Sequence, residues 1–203
     1  MRSDLAALAG VAAFVLVSLL WLFVSHGLTF PVGPDAPVYL WWMRAAGHGG
    51  LSVIGRRPGT PALMLTVGGT LHLSPVAVTA GLEVALGVSV GLASCAFARA
   101  CEGARRAAWV LAGALAGLFS VHLVAGYLSN LMFAVGFLGA CTTVAAGRRR
   151  ATVAAVLLLG AGGLAHPQFF VLGAAVLVLV AAWARFAGHD PDEFGRASCR
   201  ERV

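Results

Sequence analysis

Residues 30–61 read FPVGPDAPVYLWWMRAAGHGGLSVIGRRPGTP, and the fold turns on them. They form the one long polar interval between hydrophobic runs. They carry an acid (Asp35), an aromatic cluster (Tyr39, Trp41, Trp42), three arginines (Arg44, Arg56, Arg57) and a histidine (His48). Glycine and proline recur through them, so the stretch reads as loops and short helices, not as a span. Asp35 followed by Ala36-Pro37 predicts a helix start, because aspartate caps and proline is tolerated in the first turn. That helix is expected to run to about Ala46 and stop at Gly47, lying at headgroup depth where Trp, Tyr and Arg are at home. A second short helix is expected from Pro61 through ALMLTVGGTLHL.

Outward from this loop the chain becomes strongly apolar. Of 203 residues 60% are hydrophobic and 11% charged, with a mean hydropathy of +0.89. Such a composition cannot cover a soluble domain with charge. The fold class expected is all-α: a polytopic transmembrane bundle of about six spans, since only helices satisfy their own backbone in lipid. The spans are placed near 5–24, 75–98, 108–123, 128–145, 151–165 and 168–185, with an outer loop over 25–74. The run 5–24 is read as an uncleaved first span, because it is long for a signal peptide and lacks a clean cleavage site. The interval 107–146 is too long for one span and is read as a hairpin turning near Gly126-Tyr127. A second hairpin turns at Ala165-His166-Pro167-Gln168. Its first arm, 151–165, is short for a bilayer.

Residues 1–186 make up this membrane domain, and 187–194 begin a cytoplasmic segment. The last nine residues, 195–203 (GRASCRERV), resemble a translated adapter oligonucleotide. They are read as non-native, and the chain as the N-terminal part of something longer.

All 14 basic residues are arginine. They fall in short clusters between spans, a pattern of orientation signals and not of nucleic-acid binding. With the N-terminus inside, Arg2, Arg99, Arg105, Arg106, Arg148, Arg149, Arg150 and Arg185 lie inside, against Arg44, Arg56 and Arg57 outside. The long loop and the turns at His122–Tyr127 and His166-Pro167 then share the outer face of a cytoplasmic (inner) membrane. The cysteines Cys95, Cys101 and Cys141 show neither metal spacing nor a disulfide framework.

Asp35 is the one acid on the outer face, so an external carboxylate base would fall there. Its structural alternative is a helix cap. Glu83, inside the second span, is a second-shell or substrate-binding candidate, or a structural acid paired or neutral in the bundle. Arg56 and Arg57 suit a phosphate, whose oxygens match the guanidinium fork, or the phosphates of ordinary lipids. His166 could serve a phosphate or Asp35, or simply be exposed in its turn. Trp41-Trp42 is an interface anchor, with Tyr39 and Trp42 as an alternative wall facing a sugar or an isoprenoid. No cluster has metal-ligand spacing.

Three pieces carry a resemblance. GPDAPVYLWW, RPGTPALMLTVGGTLHLSPVAV and AHPQFF are similar to the acid-bearing first outer loop, the loop-to-second-span passage and the outer histidine-proline turn of the GT-C membrane glycosyltransferases. The resemblance implies transfer of a sugar from a polyprenyl-phosphate donor to an acceptor on the outer face, with inversion. By it Asp35 is the catalytic base, and Arg56, Arg57, His166 and Tyr39 bind the substrate and its phosphate. It leaves a divalent cation open as cofactor. The family often shows a stronger acidic signature in this loop, sometimes with a second acid, and here there is one acid. A transporter or flippase using Glu83, or a non-catalytic membrane protein, is the rival reading.

Overall fold

The computed structural model describes residues 2–29, 31, 33–50, 52, 57–101, 105–124, 127–145 and 149–186. Arg56, the turn at Gly126, the segment 187–194 and the tail 195–203 lie outside the described residues. Those described form eight helices and no strand. They are α1 (Arg2–Ser25), α2 (Ala36–Gly49), α3 (Gly59–Leu71), α4 (Pro75–Ala100), α5 (Arg106–Val124), α6 (Leu128–Ala145), α7 (Arg149–Ala165) and α8 (Pro167–Phe186).

The all-helical expectation holds, and the helix boundaries lie close to the expected ones. Two helices, α1 and α4, are long and apolar enough to cross a bilayer. At 26 residues α4 rises about 39 Å. The apolar segments of α5, α6, α7 and α8 are shorter, so the described helices support two of the six expected spans by length and composition. The loop helix α2 passes through Gly47 and ends at Gly50, whose φ of 75° and N–H bond to the Ala46 carbonyl close it. Glycine at position 47 sits inside the helix, so the expected stop there is corrected. Ser74 starts α4: its hydroxyl accepts from the Ala77 N–H at 3.2 Å, with Pro75 next in the first turn.

Helix α4 is the hub and packs on α1, α5 and α6, while α6 packs on α7. Two apolar cores result. One joins α2, α3, α4 and α6 through Tyr39, Met43, Met64, Val78, Leu82 and Leu131. The other joins α1, α4 and α5 through Val11, Val15, Leu19, Cys95 and Trp109.

Small residues bring the backbones together. A Cβ at Gly91 would lie 2.9 Å from the Gly113 carbonyl oxygen, and one at Gly117 would lie 2.7 Å from Val15 Cγ2. The paired G-x-x-x-G steps Gly87–Gly91 and Gly113–Gly117 thus let α4 and α5 touch. A Cβ at Gly136 would stand 2.5 Å from the Leu158 carbonyl oxygen, so α6 and α7 meet the same way.

The outward faces are apolar. Trp21, Leu157 and Leu179 are each 68% exposed, and exposed Phe, Leu and Val continue along α1, α7 and α8. Soluble monomers rarely show contiguous apolar surface on that scale.

Candidate functional site

The loop helices α2 and α3 sit at one end of the bundle, where α6 and α8 begin and α7 ends. Their placement has local causes. Gly59 opens α3, and a Cβ there would come 2.7 Å from the Ala165 nitrogen and 2.8 Å from the Leu164 carbonyl carbon. Only glycine lets the first turn of α3 rest on the end of α7. This sets Arg57, two residues earlier, beside the α7–α8 turn, where its Nη2 donates to Gln168 Oε1 at 3.4 Å.

His166 forms that turn together with Pro167. It stands at the N-cap position of α8, and its Nδ1 accepts from the Phe169 N–H at 3.3 Å. The imidazole stacks on the Phe169 ring, with centroids 4.1 Å apart and planes 19° from parallel. The residue is 5% exposed, so the reading of an exposed turn histidine is corrected: the stacking and the cap draw it inward. Burial first, and then the charge of Arg57, push its pKa below the ordinary value. The ring is therefore neutral near pH 7. With Nδ1 accepting, the proton resides on Nε2.

Asp35 occupies the N-cap position of α2, but its side chain makes no capping bond. The reason is local: its backbone is helical (φ −89°, ψ −7°), whereas capping side chains project from extended backbone, and Pro37 in the first turn offers no N–H. The carboxylate is half-buried and not engaged in capping, so of its two readings from sequence the cap is removed.

Tyr39 lies one turn further along α2 and is buried. Its hydroxyl donates to Ser129 Oγ at 3.2 Å and accepts from the Ser129 N–H at 3.1 Å. Ser129 Oγ also shares a hydrogen bond with Thr60 Oγ1 at 2.9 Å. Ser129 and Thr60 are fully buried, so the three groups form an interior network joining α2, α3 and α6. The Ser129 N–H is an early amide of α6 with no partner inside its own helix, and the phenol supplies one. Burial foremost, with the nearby Asp35 charge adding, pushes the Tyr39 pKa up; the Ser129 bonds and Arg57 oppose it. The residue stays a phenol at neutral pH. Placing Tyr39 on a substrate-facing wall is corrected: its hydroxyl is taken up inside, and Trp42 packs on it edge-on at 5.4 Å.

The structure thus brings Asp35, Tyr39, Arg57 and His166 to one end of the bundle. The charge of Arg57 acts on both Tyr39 and His166, and that of Asp35 acts on Tyr39. Glu83 is fully buried in α4, a turn from buried Thr79 and beside Leu82. Among the described residues no group of three or more His, Cys, Asp or Glu could hold a metal ion.

Sequence reasoning passed over Thr60, Ser129 and Gln168. Thr60 and Gln168 lie inside stretches already quoted, RPGTPALMLTVGGTLHLSPVAV and AHPQFF. Ser129 carries no local signal, because its role depends on a phenol 90 residues away.

Next to the turn, a cavity of about 550 Å³ opens between α6 and α8. Tyr127 and Asn130 line its upper end, and Phe133, Phe137 and Leu138 continue down α6, with Phe169 across from them. Phe133 stacks with Phe137 at 5.6 Å and meets Phe169 edge-on at 5.9 Å. From Tyr127 to Leu138 the cavity follows α6 for about 16 Å. The ring that packs on His166 therefore also walls the cavity. Comparison of the chain with protein-family models, with curated proteins and with solved structures finds no match in any of the three.

Proposed function

We propose that this chain belongs to a membrane glycosyltransferase that moves a sugar from a polyprenyl-phosphate donor to an acceptor hydroxyl at the outer membrane face. In this reading α1, α4, α5, α6, α7 and α8 cross the bilayer, with the N-terminus inside. The apolar outward faces of α1, α7 and α8 support it. So does the separation of charge: Asp4 pairs with Arg99 and Arg106 at the end of the bundle away from Asp35 and Arg57.

One observation carries the chemical part. A carboxylate not spent on capping, a guanidinium and a neutral imidazole gather at one end, beside an aromatic-walled cavity that descends from it. The cavity has the length and lining for the first isoprene units of a lipid carrier. In the reaction, the Asp35 carboxylate takes the proton of the acceptor hydroxyl. The freed oxygen attacks the anomeric carbon from the face opposite the phosphate. The carbon–oxygen bond to the phosphate breaks, and the electron pair leaves with the phosphate oxygen. Arg57 and the His166 Nε2–H stabilise that departing charge. One displacement inverts the anomeric centre.

Turnover of a polyprenyl-phosphate sugar by the full-length Asp35→Asn protein tests this. General-base loss is expected to lower kcat by about 100-fold or more, with the protein still folded. Activity near that of the parent removes Asp35 from the reaction. The transporter reading draws on Glu83, and that residue lines neither the aromatic cavity nor the groove between α1 and α4.

A further inference from the structure

At the opposite end of the bundle, a groove of about 830 Å³ runs between α1 and α4. Leu5, Leu8 and Ala12 of α1 and Leu92, Ala96 and Arg99 of α4 are among its walls. It is apolar along its length and ends on the cation Arg99. Arg99 Nη2 pairs with Asp4 Oδ2 at 2.9 Å, and Arg106 Nη2 pairs with Asp4 Oδ1 at 3.0 Å. Two guanidinium groups thus share one carboxylate, and both remain about half exposed (50% and 56%). Over the sequence segments 2–4 and 99–106, Arg2, Arg99, Arg105 and Arg106 stand against Asp4 and Glu102, so a positive excess persists.

We propose that this groove holds an acyl chain of an anionic phospholipid from the inner leaflet, with its phosphate on Arg99 and Arg106. The proposal rests on the membrane reading above and not on the Asp35 chemistry. The charge is complementary, and a guanidinium fork fits a phosphodiester. Basic sites between helices on the cytoplasmic side suit such headgroups. The groove follows α1 from Leu5 to Ala12 for about 10 Å, which is too short to seat a spanning helix of about 30 Å.

Native mass spectrometry of the full chain in detergent, titrated with phosphatidylglycerol or phosphatidylcholine, tests it. One phosphatidylglycerol is expected to be retained about tenfold more tightly than phosphatidylcholine. Arg99→Gln with Arg106→Gln should bring the ratio close to one. Asp4→Asn, which frees both cations, should raise it. Ala96→Phe, which fills the groove at unchanged charge, should lower retention of both lipids. Equal retention of the two lipids by the parent, or a preference that survives the double arginine change, overturns the proposal. So does a self-association that excludes the lipid. Resistance of the chain to alkaline carbonate extraction separates the two levels: release from membranes sinks the membrane reading itself, whereas retention without lipid preference sinks only this inference.

Discussion

At the residue scale, Tyr39 and His166 show how polar groups at one end of an apolar bundle are held. The Tyr39 hydroxyl satisfies a buried amide and a buried hydroxyl at once. Tyr39→Phe leaves the Ser129 N–H without that partner, and an unmet buried donor costs about 1–3 kcal/mol. A fall in unfolding midpoint in detergent is expected, and Ser129→Ala should cost a comparable amount, because it keeps the amide bonded to the phenol but deprives the buried Tyr39 and Thr60 hydroxyls of Ser129 Oγ. Equal stability of Tyr39→Phe and the parent would remove the network from the fold. For His166 the sign runs with acidification. The unfolded residue titrates near 6.5 and the folded one lower, because burial and Arg57 disfavour the cation. Below about 6.5 the unfolded chain takes up a proton that the folded chain resists, so stability falls as pH drops from there toward the folded value and then levels. Protonation of Nδ1 would also abolish the cap on α8. Thermal unfolding scans from pH 8 to about pH 5 should show this loss in the parent and a smaller one in His166→Gln.

At the element scale, the site depends on where α3 docks. Gly59 sits against the end of α7 with no room for a methyl group. Gly59→Ala should push α3 off α7, separate Arg57 from Gln168 and cost about 1–3 kcal/mol, the usual range for overpacking. Under the proposed function, turnover is expected to fall together with stability in this variant. By contrast, Gly69→Ala in the same helix meets nothing within 4 Å and should be neutral or slightly stabilising. If the two substitutions behaved alike, the docking contact would not be what places Arg57. The elements themselves were legible beforehand. The second span is placed to start at residue 75, where α4 begins, and the stretch 128–145 is read with the bounds that α6 has, because apolar runs and their breakers are local properties. Gly47 misled the reading of α2: a glycine inside a helix looks the same in sequence as one that ends it, and only Gly50 adopts the left-handed φ.

At the scale of the whole molecule, the two ends are chemically distinct. Asp4, Arg99 and Arg106 pair at one, and Arg57, Gln168 and His166 meet at the other. The proposed topology predicts that a cysteine placed at exposed His48 reacts with an impermeant maleimide in intact cells, whereas the exposed Cys101 reacts only after permeabilisation. Reversed labelling would place Asp35 in the cytosol and end the outer-face chemistry. The sequence by itself determined that the described residues are helical, where most of their helices begin and end to within a few residues, and that polar chemistry concentrates in residues 30–61, since hydropathy, caps and breakers act over a few residues. Only the tertiary structure decided that Tyr39 and His166 are inside, that Ser129 and Thr60 take up the phenol, and that Gln168 holds Arg57. Those outcomes depend on which helices touch, and glycine-sized gaps between distant segments set that, at Gly59 against α7 and at Gly91 and Gly117 between α4, α5 and α1.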